Sequence, residues 1–204
     1  MTVGSDLTHT AALHGQRDDA NNIKNAPSNP EKYRVEMGSS HSLLPVSVII
    51  PAFNSEMYIR TAIESVLAQT LVPAEIIVVD DGSSDDTRMI VKSFGPTVTL
   101  LTNERNSGPG YSRNRGVAQA RSPWIAFLDA DDLWRPEHLM SMCSLLVQHP
   151  QSALSFCPVE VFGLHVGTWP SKIECTGSPF DFFPTQLQGG AIQTSTIVLH
   201  RPKF

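Results

Sequence analysis

Four short, largely apolar runs alternate with segments of helical periodicity, and this alternation constrains the fold more than any other sequence feature. The runs are VSVII (46–50), EIIVV (75–79), TVTLL (97–101) and WIAFL (124–128). Continuous apolar runs of this length are typical of strands buried on both faces, as in parallel sheets covered by helices. The segments between them carry apolar residues at helical spacing. The alternation therefore predicts an α/β, Rossmann-like fold with a mostly parallel central sheet flanked by helices.

Composition divides the chain into three parts. Residues 1–44 are rich in Asn, Ser, His, Asp and Thr without periodicity, so we expect a poorly ordered N-terminal extension. Residues 45–150 hold the regular strand–helix pattern, which ends with a predicted helix over 136–148. Residues 151–204 carry a weaker pattern with one further predicted strand, TSTIVLH (194–200).

Charge and cysteine content exclude several classes of protein. A net charge of −5 argues against a protein that binds nucleic acid through bulk positive charge. The three cysteines, Cys143, Cys157 and Cys175, are odd in number and form no CxxC motif, which is typical of reduced thiols in a cytosolic protein. No apolar run approaches the length of a membrane span, and no signal peptide is apparent. We therefore expect a cytoplasmic protein.

A polar loop follows each of the four predicted strands. The loops read PAFNSE (51–56), DDGSSDDT (80–87), NERNSGPGYSRNRG (103–116) and DADD (129–132). In open parallel sheets, ligands bind outside the carboxyl ends of the strands. Because these ends meet at one edge of the sheet, the four loops predict a single binding site.

Two familiar nucleotide-binding motifs do not fit these loops. A dinucleotide site needs GxGxxG directly after the first strand, where this chain has Pro51, Ala52 and Phe53. The segment GPGYSR (108–113) follows the third strand instead, and it has Arg113 where the last glycine belongs. A P-loop, GxxxxGK[ST], does not occur.

The fourth loop places three aspartates, Asp129, Asp131 and Asp132, directly after an apolar strand. Carboxylates this close repel one another and raise each other's pKa, so a bound cation would offset their charge. Hard oxygen ligands favour Mg²⁺ or Mn²⁺ over zinc. Held by Asp129 and Asp131, such a metal can bridge two phosphate oxygens and neutralise them.

Other polar groups complete a candidate site for a nucleoside diphosphate. Arg113, with Arg115 as a second candidate, can add a guanidinium, and the helix start near Gly108 adds backbone N–H groups. Asp81 is a candidate to accept hydrogen bonds from a nucleobase edge. The chemistry indicated is departure of a nucleoside diphosphate, with metal and arginine taking up the developing charge.

The segments SVIIPAFNSEMYIRTAIESVLAQT, EIIVVDDGSSDDT, NSGPGYSRNRGVAQARSPWIAFLDADDLWRP and TSTIVLHRPKF resemble family 2 glycosyltransferases of the GT-A fold. The resemblance runs from about residue 46 to the end of the sequence. It implies an enzyme that transfers a sugar from a nucleotide-diphosphate sugar to an acceptor hydroxyl with inversion. A UDP-sugar donor, assistance by a metal and a place in polysaccharide or glycoconjugate assembly are also implied.

The same resemblance implies residue roles. Residues 45–150 would form the donor-binding half, and residues 151–204 the start of the acceptor-binding half. Asp129 and Asp131 match the DXD motif, with Asp131 as the more direct metal ligand, and Asp132 matches a frequent acid after it. The positions that match donor-binding segments are Pro51, Ala52, Asn54, Glu56, Asp81, Gly108, Arg113, Asp129 and Ala130.

The family's general base is an acid in a Glu-Asp motif that follows the segment resembling TSTIVLHRPKF. No Glu-Asp pair occurs after residue 150, where Glu160, Glu174 and Asp181 stand alone. We therefore expect the catalytic base to be absent and the acceptor half to be incomplete. The alternative function is a catalytically incomplete nucleotide- and metal-binding fragment. The expected acceptor is a glycan, lipid-linked or other hydroxyl, and peripheral membrane association and self-association are left open.

Overall fold

The structure is a computed structural model that describes residues 11–14, 44–162, 167–168, 180–181 and 192–201. Most of the predicted N-terminal extension lies outside these residues, as do Glu174 and Cys175. None of the helices in the described ranges is both long and apolar enough to cross a membrane.

The described elements alternate between strands and helices along the chain. The helices are α1 (Ile59–Leu67), α2 (Thr87–Lys92), α3 (Pro109–Gln119) and α4 (His138–Gln148). The strands are β1 (Ala11–His14), β2 (Leu44–Ala52), β3 (Pro73–Asp80), β4 (Val98–Thr102), β5 (Trp124–Phe127), β6 (Leu154–Phe156), β7 (Glu160–Val161), β8 (Gly167–Thr168), β9 (Phe180–Asp181) and β10 (Val198–His200).

Eight of the strands in the described part form one sheet, in the order β4-β3-β2-β5-β10-β6-β1-β9. Strands β4, β3, β2 and β5 are parallel to one another, as the apolar runs predict. Strand β10 lies between β5 and β6 and is antiparallel to both. The predicted α/β fold with a mostly parallel central sheet is confirmed.

Two predicted elements differ in extent from those observed. The last helix begins at His138 rather than at residue 136. The segment predicted as a strand over 194–200 is a strand only at Val198–His200, because Thr194–Thr196 forms a 3₁₀ turn.

The N-terminal segment also contains a strand that was not expected. Within residues 1–44, Ala11–His14 forms β1, which pairs antiparallel with β6 through Ala11 and Phe156. These four residues are therefore part of the sheet rather than of an unstructured extension. The boundaries of the three predicted parts stay a prediction.

Helices cover both faces of the parallel strands. Helices α1, α2 and α4 pack on one face, where their buried residues share a cluster with Val48, Ile50 and Ala126. On the other face, α3 packs over Ile49, Ile77 and Ile125. Each fully buried aliphatic side chain of this kind contributes about 1.5–3 kcal/mol to stability. The burial on both faces explains why the strands lack the alternation of half-exposed strands.

Helix α3 approaches the sheet closely through Gly116. A Cβ atom at this position would lie 2.5 Å from Cγ2 of Ile49, closer than packed atoms tolerate. The glycine therefore sets the distance between α3 and β2, and with it the position of the loop that precedes α3.

Candidate functional site

The four polar loops follow β2, β3, β4 and β5, and hydrogen bonds join each of them to the next. We call them the first (51–56), second (80–87), third (103–108) and fourth (129–132) loops; residues 109–116, predicted as part of the third loop, belong to α3. The Asn54 backbone N–H in the first loop donates to Oγ of Ser83 in the second, at 3.0 Å. Asp81 accepts bonds from the third loop, and Arg113, on α3 directly after the third loop, pairs with Asp129 in the fourth. The loops thus form one connected edge.

Polar side chains hold the first loop against the second. Oδ1 of Asn54 accepts a bond from the Ser84 backbone N–H at 2.9 Å, and Asn54 has a positive φ of 47°. Glu56 accepts from the Asp86 backbone N–H through Oε2 and donates its own N–H to Asp85, both at 3.0 Å. Asn54 and Glu56 therefore order this edge of the site.

Pro51 and Ala52, also predicted to bind the donor, are buried at the end of β2. Ala52 accepts a 2.7 Å hydrogen bond from the Asp81 backbone N–H, so the end of β2 fixes where the second loop starts.

Asp81 is 3% exposed, and its carboxylate faces the third loop. Oδ1 accepts bonds from the Asn103 amide at 2.6 Å and the Ser107 backbone N–H at 3.0 Å. Oδ2 accepts from the backbone N–H groups of Ser107 and Gly108, the latter at 2.7 Å. Burial alone would raise the pKa of Asp81, but these hydrogen bonds outweigh it and hold the pKa below its ordinary value. The charged carboxylate of Asp81 therefore holds the third loop against the second through these hydrogen bonds.

A glycine allows the second and third loops to approach this closely. Gly82 has a φ of +79°, and a Cβ there would lie 2.8 Å from the Arg105 carbonyl carbon. Gly108, with a φ of +90°, precedes Pro109 at the start of α3. Both glycines adopt backbone conformations that side chains with a Cβ rarely do.

Arg113 on α3 and Asp129 in the fourth loop form an ion pair. Nη2 of Arg113 lies 2.5 Å from Oδ1 of Asp129, and the side chains are 20% and 33% exposed. Nε of Arg113 is buried and has no hydrogen-bond partner among the residues that the structure describes. Arg115, the second candidate, instead donates to the Thr102 carbonyl oxygen and the Asn103 side chain, so it holds the end of β4. The structure therefore brings Arg113, and not Arg115, to the acidic loop.

The fourth loop is a tight turn that carries excess negative charge. The Asp132 backbone N–H donates to the Asp129 carbonyl oxygen at 3.0 Å, Ala130 is buried, and Asp131 is exposed. Burial raises the pKa of Asp132; a hydrogen bond with Ser195 opposes this rise, and the charges of Asp131 and Asp129 add to it. A cation at this turn would relieve the repulsion.

The donor set of this turn fits a hard divalent cation whose coordination is completed by phosphate. In the ranges the structure describes, no three His, Cys, Asp or Glu side chains are grouped to hold a metal ion. Mg²⁺, however, is usually bound through one or two carboxylates together with phosphate oxygens and water rather than in an all-protein cage. Asp129 and Asp131 supply carboxylates of that kind.

Sequence reasoning missed two residues of this edge. Oγ of Ser195 accepts a 2.9 Å hydrogen bond from the Asp129 backbone N–H, although the sequence pattern placed Ser195 in a strand. No local signal points to this contact, since 66 positions separate the residues. Phe53 is 45% exposed directly after the buried end of β2. The sequence signal that could have indicated Phe53 is that it is an aromatic residue in an otherwise polar loop.

Comparison with known proteins identifies the family of this chain. The family model described as glycosyl transferase family 2 matches residues 47–199. The chain belongs to glycosyltransferase family 2. The predicted assignment to this class of enzyme is therefore confirmed.

This chain is similar in sequence to two curated proteins. Succinoglycan biosynthesis protein ExoO of Rhizobium meliloti is 47% identical over 98 residues, which cover 48% of this chain and 28% of that protein. The UDP-Glc:alpha-D-GlcNAc-diphosphoundecaprenol beta-1,3-glucosyltransferase WfgD of Escherichia coli is 41% identical over 105 residues, covering 51% of this chain and 42% of that protein. The matches thus span less than half of either relative.

A solved structure matches the fold of the same family. The crystal structure of S. aureus TarS 1–349 in complex with UDP superposes with a TM-score of 0.50 at 35% sequence identity. The match covers 53% of this chain and 33% of that one. The predicted GT-A fold is confirmed.

Proposed function

We propose that this edge binds a nucleotide-diphosphate sugar, specifically a UDP-sugar, for transfer of the sugar to an acceptor hydroxyl with inversion. The observation that carries the proposal is the ion pair of Arg113 and Asp129, which joins a guanidinium to an acidic turn at the carboxyl ends of parallel strands. The UDP bound in the TarS crystal structure and the UDP-Glc in the name of WfgD support uracil as the base.

The proposed nucleoside pocket lies between the first, second and third loops. The exposed ring of Phe53 offers a face for a base, and Asp81 lies at the proposed base edge. Asp81 already accepts bonds from the third loop, so it would hold that loop while it contacts the base. Asn54 and Glu56 would act by fixing the first loop against the second.

Asp129 and Asp131 are the proposed ligands of Mg²⁺ or Mn²⁺. When bound, the metal would neutralise charge that develops on the departing diphosphate. Arg113 would share this task, because its Nε bonds to none of the described residues and its Nη2 already reaches the acidic turn. Gly108 would add a backbone N–H near the start of α3 if its bond to Asp81 were exchanged.

For the acceptor, we propose a chemical class and not a specific molecule. Inverting transfer needs a base within hydrogen-bond reach of the attacking hydroxyl, and we assign none of the described residues to this role. Glu160, one of the isolated acids, is paired with Arg135 at 2.5 Å. From the names of the relatives we propose a glycan or lipid-linked hydroxyl as acceptor, in the cytoplasm and at the membrane surface where the acceptor is lipid-linked.

Calorimetric titration of UDP into the 204-residue chain tests the donor site. We expect binding with Mn²⁺ that is lost with EDTA and weakened about 10-fold or more by Asp131→Ala, equivalent to about 1.4 kcal/mol or more. Glu104→Ala is the matched control, because Glu104 is an exposed acid of the third loop. We expect that variant to bind UDP as the parent chain does.

Two results would contradict the proposal. One is the absence of UDP binding by a chain that unfolds cooperatively, and the other is equal binding with Mn²⁺ and with EDTA. Sugar release from a UDP-sugar, with or without an added acceptor, then separates an enzyme from a module that only binds the donor.

A further inference from the structure

Ser195 lies beside the fourth loop although it belongs to the last described segment of the chain. It occupies the 3₁₀ turn Thr194–Thr196, in which the Thr196 backbone N–H donates to the Gln193 carbonyl oxygen at 3.1 Å. Strand β10 follows at once and pairs with β5, with Val198 opposite Ala126. This pairing carries the turn to the carboxyl end of β5, where the fourth loop begins.

Ser195 accepts two hydrogen bonds, one from either end of the segment that contains the acidic turn. Its Oγ accepts from the Asp129 backbone N–H at 2.9 Å, at the start of the turn. Its carbonyl oxygen accepts from Nε1 of Trp134 at 2.7 Å, just beyond the end of the turn. Ser195 is 6% exposed, so water does not readily replace it as a partner.

We propose that Ser195 is a positioning residue that orients Asp129 for the metal and the diphosphate. This inference rests on the proposed function. Ser195 acts through the Asp129 backbone and does not itself contact the ligand. With the Asp129 N–H bonded to Ser195 and the Asp129 carbonyl oxygen bonded to the Asp132 N–H, both backbone groups of Asp129 are fixed. The direction of its carboxylate is then set before a ligand arrives.

The side-chain hydroxyl is the part of Ser195 that a mutation can remove selectively. Ser195→Ala leaves the carbonyl oxygen that bonds Trp134. It deprives the Asp129 N–H of its acceptor and also removes the hydrogen bond with the Asp132 side chain in the same turn. The peptide between Leu128 and Asp129 can then rotate, and the carboxylate samples directions that do not bind metal. Removing an outer group that orients a metal ligand typically lowers metal affinity 10–100-fold.

A second buried serine provides a matched control. Ser155 on β6 is fully buried, and its hydroxyl donates to the Met142 carbonyl oxygen at 3.2 Å, away from the acidic turn. Ser155→Ala therefore removes a buried hydroxyl from the same half of the sheet without altering the fourth loop. Ser195→Thr keeps the hydroxyl and serves as the conservative variant.

The experiment combines Mn²⁺ titration at a fixed UDP concentration with amide hydrogen exchange, on the whole chain and the three variants. For Ser195→Ala we expect the Mn²⁺ concentration at half-maximal UDP binding to rise about 10-fold, the lower end of the range for outer-shell groups. We also expect faster exchange of the Asp129 amide. Ser155→Ala should match the parent in both readouts, and Ser195→Thr should stay within about 3-fold of it in Mn²⁺ midpoint, which is under 1 kcal/mol.

The outcomes separate this inference from the function on which it rests. An unchanged Mn²⁺ midpoint in Ser195→Ala, or an equal rise in Ser155→Ala, overturns the positioning role while the donor site stands. If the folded parent chain binds no UDP with Mn²⁺, the proposed function fails and the positioning role fails with it. Hydrogen exchange of the Asp129 amide then shows whether its hydrogen bond to Ser195 forms.

Discussion

Replacing Gly82 with alanine should destabilise the protein and weaken donor binding, because two separate penalties act at this position. The backbone has a φ of +79°, and an added Cβ would lie 2.8 Å from the Arg105 carbonyl carbon and 2.9 Å from the Asn106 nitrogen. Both of these atoms belong to the backbone of the third loop, so no side-chain rotation relieves the contact. The second and third loops must move apart.

The size of the effect follows from these two penalties. A left-handed conformation is less favourable by about 1–2 kcal/mol for a residue with a Cβ. Overpacking adds about 1–3 kcal/mol, so Gly82→Ala should lower the free energy of unfolding by about 2–5 kcal/mol. Gly95 has a φ of +62° but no atom within 4 Å of an added Cβ. Gly95→Ala should therefore lower the free energy of unfolding by only about 1 kcal/mol, since the less flexible unfolded chain offsets part of the first penalty.

Urea unfolding followed by circular dichroism measures the two variants side by side, and UDP titration follows on the same samples. Separation of the loops would break the bonds from Asp81 to Ser107 and Gly108, so UDP affinity should fall in Gly82→Ala and not in Gly95→Ala. Equal destabilisation of both variants would refute the steric reasoning. Unchanged UDP affinity in a destabilised Gly82→Ala would refute the link between this contact and the site.

Two further predictions concern the pH dependence of stability. Burial lowers the pKa of His138 from 6.5 to about 4, so the unfolded chain binds a proton at a higher pH than the folded chain does. The free energy of unfolding should therefore fall by about 3 kcal/mol between pH 6.5 and pH 4. Urea unfolding of His138→Leu should show that this dependence of stability on pH is lost. Burial would raise the pKa of Glu75, but bonds from the Ser47 hydroxyl and the Arg121 backbone N–H, together with the Arg121 charge, outweigh it and lower the pKa below 4.5. The stability that charged Glu75 contributes is present above pH 4.5 and is lost as the pH falls further. Glu75→Gln should therefore be less stable than the parent chain by about 1–3 kcal/mol at pH 7. In thermal unfolding, the melting temperature of the variant should depend less on pH in the acid range. A Glu75→Gln curve parallel to that of the parent chain at every pH would contradict the assignment.

The sequence predicts the parallel part of the sheet well because its signal is local. Strands β2, β3 and β5 contain apolar runs that helices bury on both faces, whereas the edge strand β4 keeps Thr99 exposed. The meeting of the four loops then follows from the geometry of parallel strands alone. Strands β4 and β5 are not neighbours in the sheet, so the contact of Arg113 with Asp129 depends on helix α3, which carries Arg113 and connects these two strands.

Contacts between distant segments could not be predicted in this way. Nothing in TSTIVLH indicates that its first residues form a turn, or that Ser195 bonds the Asp129 backbone. The four residues of β1 are too few to show a period. From the sequence, Asp81 is predicted to accept hydrogen bonds from a nucleobase. The residue type alone does not show which hydrogen-bond donors of the protein its carboxylate contacts in the folded chain. Those donors belong to the third loop, and only the packing of loops around Gly82 brings them there.

The place of β10 in the sheet has a consequence for the order in which the protein folds during synthesis. Translation delivers β10 after every other described strand, yet its position is between β5 and β6 rather than at an outer edge. Until residues 198–200 have emerged, the backbone N–H and C=O groups of β5 on that side have no strand to pair with, and such an open edge is prone to aggregation. A nascent chain that pauses before this point would carry all four loops but an unpaired strand beside the acidic turn. Polypeptides released at that stage are the ones we expect to need chaperones most.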